Sequence, residues 1–122
     1  MIEPLPNLLL LAVWDGHGGS ECSNFCSENI EKFLLRRLSK NEQHQTEEYN
    51  LEEVLHKTLL DLNTAFSKHW KPIKGQKSSP GSTATLALIR GGYELVIAHI
   101  GDSLAMLCRN KEPRRLKILI ER

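Results

Sequence analysis

The sequence predicts an α+β fold in which helices cover one face of a mainly antiparallel sheet. Three observations lead there. A short apolar run, Leu8–Trp14, ends on Asp15-Gly16; two later segments repeat apolar residues at three-and-four spacing; and the stretch after Pro80 places them at every second position. With 122 residues the chain fits one domain, since domains usually run to roughly 100–200 residues. Hydrophobic residues at 40% and charged residues at 25% are globular usage and exclude a mostly disordered chain.

Leu8–Trp14 is too short for a typical helix and follows Pro6, so it reads as a buried strand. Gly18, Gly19 and Ser20 then supply a flexible lead and a candidate N-cap. The first helix is drawn by Cys22, Phe25, Cys26, Ile30, Phe33, Leu34 and Leu38, which stack on one helix face. Ser39–Tyr49 has no apolar period and reads as a solvated loop. Asn50 with Glu53 resembles a capping box, and Glu52 and Glu53 sit where the positive helix end favours carboxylates. Leu51, Leu55, Leu59, Leu62, Phe66 and Trp70 continue this second helix until Pro72 stops it.

Lys71–Pro80 is basic and turn-forming. Ser82–Ile89 alternates, with Thr83 and Thr85 on one side and Ala84, Leu86 and Leu88 on the other, as a half-buried strand does. Gly91-Gly92 is a two-residue hairpin signal before a strand at Tyr93–Ile100. Gly101-Asp102-Ser103 breaks that strand, Leu104–Cys108 starts the next, and Asn110-Lys111 turns again, giving a meander. Leu116–Ile120 adds a short last strand. No internal repeat is present.

Charge excludes some partners. Sixteen Lys plus Arg against fifteen Asp plus Glu leave a net charge of +1, so no broad field advertises nucleic acid or an anionic membrane. The longest apolar run falls far short of the roughly 20 residues that span a bilayer, and Met1–Pro6 has neither secretory nor transit character. Cys22, Cys26 and Cys108 are too few for a disulfide framework and point to a reducing compartment. Cys22 and Cys26 share a helix face; a soft-metal pair is outweighed by the ordinary role of cysteine as a small core residue.

The chemistry-bearing residues cluster at the end of the first strand. Asp15-Gly16-His17-Gly18-Gly19 sets a carboxylate and an imidazole in a sharply turning loop. Aspartate is a hard ligand for Mg²⁺ or Mn²⁺, Gly16 lets a metal approach the backbone carbonyl, and histidine exchanges a proton near neutral pH. The plain alternative is a glycine turn with Asp15 as a local cap. Asp61 reads as a solvated side chain beside the apolar stripe, and His44, His56, His69 and His99 show no metal-site spacing.

The string Asp15–Gly19, followed by Gly81-Ser82-Thr83-Ala84 and then Gly101-Asp102-Ser103-Leu104-Ala105, resembles in order the motifs of the 2C-type metal-dependent protein serine/threonine phosphatases. The resemblance covers Leu8 to about Leu116. It implies a sandwich of two antiparallel sheets flanked by helix pairs, and hydrolysis of phosphoserine and phosphothreonine proteins by a water between two Mg²⁺ or Mn²⁺ ions. It implies metal contacts at Asp15 and the Gly16 carbonyl, a general acid at His17, and a third, loosely held ion at Asp102. Without the resemblance Asp102 is a turn former. The run Ser79–Thr85 is most similar to a mitochondrial type within the family that acts on the branched-chain 2-oxo acid dehydrogenase complex. That likeness implies the mitochondrial matrix; without it the cytoplasm is expected.

Departures matter as much. No Arg precedes Arg36, where the family has a phosphate-holding Arg ahead of its first motif. Leu104 stands where the family commonly has Arg. Beyond Asp102 the acids are Glu112 and Glu121, so the family's later metal carboxylates have no match. The expectation is a partial phosphatase domain over residues 1–122, inactive by itself, with a non-catalytic binding or regulatory fragment as the second hypothesis.

Overall fold

The computed structural model describes residues 2–42, 50–70, 80–92, 94–101, 106–109, 112–115 and 120–121, and its architecture is the expected α+β. The chain opens with a hairpin that the sequence reading missed. Strand β1 (Ile2–Leu5) runs antiparallel to β2 (Leu8–Val13) across Pro6-Asn7. Proline fixes its own φ and Asn7 has φ 64°, the combination that a type II turn requires. Glu3 and Pro4 interrupt any apolar alternation in β1, which hid it.

Helix α1 (Glu21–Glu42) begins after Ser20, whose carbonyl accepts the Asn24 N–H at 2.9 Å. It runs through Ser39–Glu42, which had read as loop; lysine and glutamate propagate a helix without an apolar face. Helix α2 (Leu51–His69) is capped as expected, with the Glu53 N–H donating to Asn50 Oδ1 at 3.2 Å. It stops at His69, and Trp70 is extended with ψ 128°. Positions 43–49 and 71–79, including His44 and Pro72, lie outside the described residues. Asp61 is not simply solvated: it accepts from Arg37 Nε at 2.5 Å and Arg37 Nη2 at 2.7 Å, tying α1 to α2.

The expected strand Ser82–Ile89 is divided at Thr83. Gly81–Ser82 forms β4, which pairs with β3 (Gly16–His17), while Ala84–Arg90 forms β5 beside β2. Strand β6 (Glu94–Ile100) pairs Glu94 with Arg90, and position 93 lies outside the described residues. Gly91 and Gly92 carry φ 63° and 75°.

The meander expectation fails after β6. Strand β7 (Met106–Arg109) pairs with β8 (Glu112–Arg115) in a separate ribbon, and β9 (Ile120–Glu121) joins β6 in parallel. Gly101, which follows β6, has φ 94°, a conformation that favours glycine. Pro113 concealed β8, although an edge strand tolerates a missing N–H. The main sheet therefore runs β1-β2-β5-β6-β9 among the described residues.

Register aligns the core in rows across the sheet. Leu10, Leu88 and Val96 make one row and Ala12, Leu86 and Ala98 the next. Ile30, Leu34 and Leu38 of α1 and Leu55 and Leu62 of α2 pack onto that face. Neither helix is long and apolar enough to cross a membrane.

The opposite face is apolar too. Leu11, Val13 and Leu95 are 38%, 64% and 41% exposed, while Thr85 Oγ1 and both ring nitrogens of its cross-strand neighbour His99 are buried without a hydrogen-bond partner among the described residues. Large apolar side chains exposed on a sheet face favour association. Residues 1–122 are accordingly expected to self-associate, giving concentration-dependent sedimentation. A compact monomer at every concentration would contradict this.

Candidate functional site

Two motifs far apart in sequence meet where β2 ends. The Asp15 N–H donates to Thr83 Oγ1 at 3.3 Å, and the Thr83 N–H donates back to the Asp15 carbonyl at 2.9 Å. Immediately beyond, Gly16 pairs with Ser82 and His17 with Gly81. The hydroxyl-rich strand start is thus stitched to the Asp-Gly-His turn. Thr83 is buried and holds the junction, whereas Asp15 and His17 are exposed beyond it.

Glycine is demanded at both sides of this junction. A Cβ on Gly81 would collide with the His17 ring, so the imidazole occupies the space that a side chain would fill. A Cβ on Gly16 would come 2.8 Å from Ser23 Oγ and 3.1 Å from the Gly19 carbonyl oxygen. Gly18 and Gly19 have φ 68° and 123°, conformations that favour glycine, and they turn the chain from His17 into α1.

The first residue of the third motif reaches the same point. Gly101 abuts Thr83, where an added Cβ would lie 2.6 Å from Thr83 Cγ2. Asp102, the next residue and a candidate metal contact, lies outside the described residues, as does Leu104. The structure therefore brings Asp15, Gly16 and His17 together with Gly81–Thr83 and Gly101. Thr83 and Ser23 were not singled out as site residues. Thr83 is the residue between two strand segments, and its role follows from pairing that sequence periodicity does not reveal.

The remaining candidates stand apart. His69 stacks against Phe25 with ring centroids 5.1 Å apart, and His99 is buried in β6. Cys22 and Cys26 are free thiols. Burial pushes both thiols up, that of Cys26 to about 12.

The donor set suits a hard cation in part. Asp15 offers an exposed carboxylate, and Gly16 offers backbone bare of a side chain. Octahedral Mg²⁺ takes about six oxygens, so these are a fraction of a shell. Among the described residues, no group of three or more His, Cys, Asp or Glu could hold a metal ion.

Comparison with known proteins follows the same motifs. The family model described as Protein phosphatase 2C matches residues 5–118. The chain is 40% identical over 114 residues to "Protein phosphatase 1K, mitochondrial" of Xenopus laevis, covering 93% of this chain and 29% of that protein. It is 33% identical over 127 residues to "Protein phosphatase 2C 50" of Oryza sativa subsp. japonica, covering 89% and 32%. It is 36% identical over 104 residues to the human "Integrin-linked kinase-associated serine/threonine phosphatase 2C", covering 83% and 25%. The chain spans between 25% and 32% of the length of these relatives.

Proposed function

Because the chain belongs to the protein phosphatase 2C family, we propose that it supplies the first part of a metal-dependent site that hydrolyses phosphoserine and phosphothreonine in proteins. The observation that supports this most is the junction through Thr83, which gathers the first two family motifs and the leading glycine of the third at one end of the sheet. In this reading Asp15 and the Gly16 carbonyl hold Mg²⁺ or Mn²⁺, and Asp102 contributes to a further, weaker ion. Bound ions would supply Lewis-acid activation of water and neutralise phosphoryl charge. His17, exposed and seated over Gly81, donates a proton to the departing serine oxygen, a role that usually contributes about 10²–10⁴-fold.

The Xenopus relative is mitochondrial by name. A mitochondrial matrix location, with the branched-chain 2-oxo acid dehydrogenase complex as phosphoprotein substrate, is the finer form of the proposal. It rests on the resemblance over Ser79–Thr85 and on that identity.

Among the described residues one carboxylate and one carbonyl leave most of a metal shell to water, which favours a second reading in which residues 1–122 act without catalysis as a binding fragment. The two readings separate in one experiment. Residues 1–122 with Mn²⁺ are expected to show no turnover of a phosphoserine peptide. Adding the C-terminal portion of a family catalytic domain is expected to restore turnover that Asp15→Asn abolishes and His17→Gln lowers by about 10²–10⁴-fold. Restored turnover indifferent to Asp15→Asn would remove Asp15 from the site. Failure to restore it would favour the binding fragment.

A further inference from the structure

Behind the Asp15–His17 turn, between α1, α2 and the ends of β4–β6, lies a cavity of about 230 Å³. Its walls include Trp14, Leu59, Phe66 and Ile100, and two thiols, Cys22 and Cys26, face it from α1. The two cysteines lie one helical turn apart on the same wall. Cys22 is half-buried and Cys26 buried, so the pair lies on the wall of a partly open, mainly apolar cavity that His56, Asn63 and Ser82 also line.

That arrangement selects a particular chemistry. Thiols one helical turn apart are poorly placed for a disulfide, whose S–S bond of about 2.05 Å draws the two Cβ atoms to roughly 3.5–4.5 Å; neighbouring Cβ atoms on a helix are about 5–6 Å apart. A single atom bonded to both sulfurs spans the gap without unwinding α1. A closed tetrahedral zinc site needs four ligands, and no third His, Cys, Asp or Glu completes a metal-holding group among the described residues.

We propose that Cys22, Cys26 and the adjoining cavity form a dithiol site for a thiophilic centre carrying a small apolar group, of the aryl arsenoxide class, with the aryl group held by Leu59, Phe66 and Trp14. The reaction balances without an oxidant. Two As–S bonds form, two S–H bonds and the As–O double bond break, and water leaves with both protons. Arsenic and sulfur keep their oxidation states. Because burial keeps both thiols protonated, alkylating reagents that need one thiolate react slowly. A two-bond reagent gains its second bond intramolecularly, at high effective concentration.

The inference is independent of the phosphatase reading, because its test involves no turnover. Phenylarsine oxide added to residues 1–122 is expected to give one adduct by intact mass, with loss of one water. The adduct should disappear in Cys22→Ser and in Cys26→Ser, persist in Cys108→Ser, and be reversed by 1,2-ethanedithiol. In a Trp70→Phe background the emission of Trp14 should change on binding. Inorganic arsenite, which has no aryl group to bury, should bind at least about tenfold more weakly. An adduct that survives Cys22→Ser or vanishes in Cys108→Ser overturns the dithiol assignment. Equal affinity for arsenite, or unchanged Trp14 emission, overturns the role of the cavity.

Discussion

Truncating Leu88 to alanine is expected to destabilise the chain by about 2–5 kcal/mol, the range for a large-to-small change in a close-packed core. Leu88 is fully buried, between Leu10 on β2 and Val96 on β6, on the face that carries both helices. The same change at Leu95 removes an identical side chain from the opposite face, where it is 41% exposed. Leu95→Ala should cost less than about 1 kcal/mol, since little packing is lost, and it should weaken self-association. Urea unfolding followed by tryptophan emission at low protein concentration separates the two. Against a typical total of about 5–15 kcal/mol, the Leu88 variant loses a large share of its stability. Equal midpoints for the two variants would mean that the helices do not cover the Leu88 face in solution.

Gly81→Val should act on the site itself. Its Cβ would occupy the space of the His17 ring, so either the imidazole swings away or β4 separates from β3. Overpacking of this kind costs about 1–3 kcal/mol. A chemical-shift change at the His17 ring, with the spectrum of the α1–α2 core preserved, is the expected signature in NMR. An unmoved His17 resonance would show that the ring does not rest on Gly81. Restored phosphatase activity, where measured, should fall as it does in His17→Gln.

The helices and central strands were legible in the sequence because burial on one face imposes a period. Apolar spacing located α1 and α2, Asn50 announced its cap, and alternation after Ser82 named Ala84, Leu86 and Leu88 as the core side of β5. Elements without a one-sided apolar face escaped. Strand β1 carries Glu3 and Pro4, β3 and β4 are glycine-containing pairs, and the last turn of α1 is polar all round. The parallel docking of β9 on β6 is a long-range choice that local pattern does not encode. At the site, the motif strings identified Asp15, Gly16 and His17. The Asp15–Thr83 hydrogen bonds required knowing which strand lies beside which.

Those hydrogen bonds join positions 68 residues apart, and this sets the order in which the protein can assemble. Helices form within about a microsecond of local search, but the turn after β2 acquires its partner only when both helices have folded back and β5 exists. On a ribosome adding about 5–20 residues per second, Thr83 is made roughly three to fourteen seconds after Asp15. Throughout that interval β2 lacks its β5 neighbour, and the Asp15–His17 turn lacks its anchor. The nascent chain is therefore most exposed to mispairing before Thr83 emerges, and a chaperone acting on it would have its longest opportunity then.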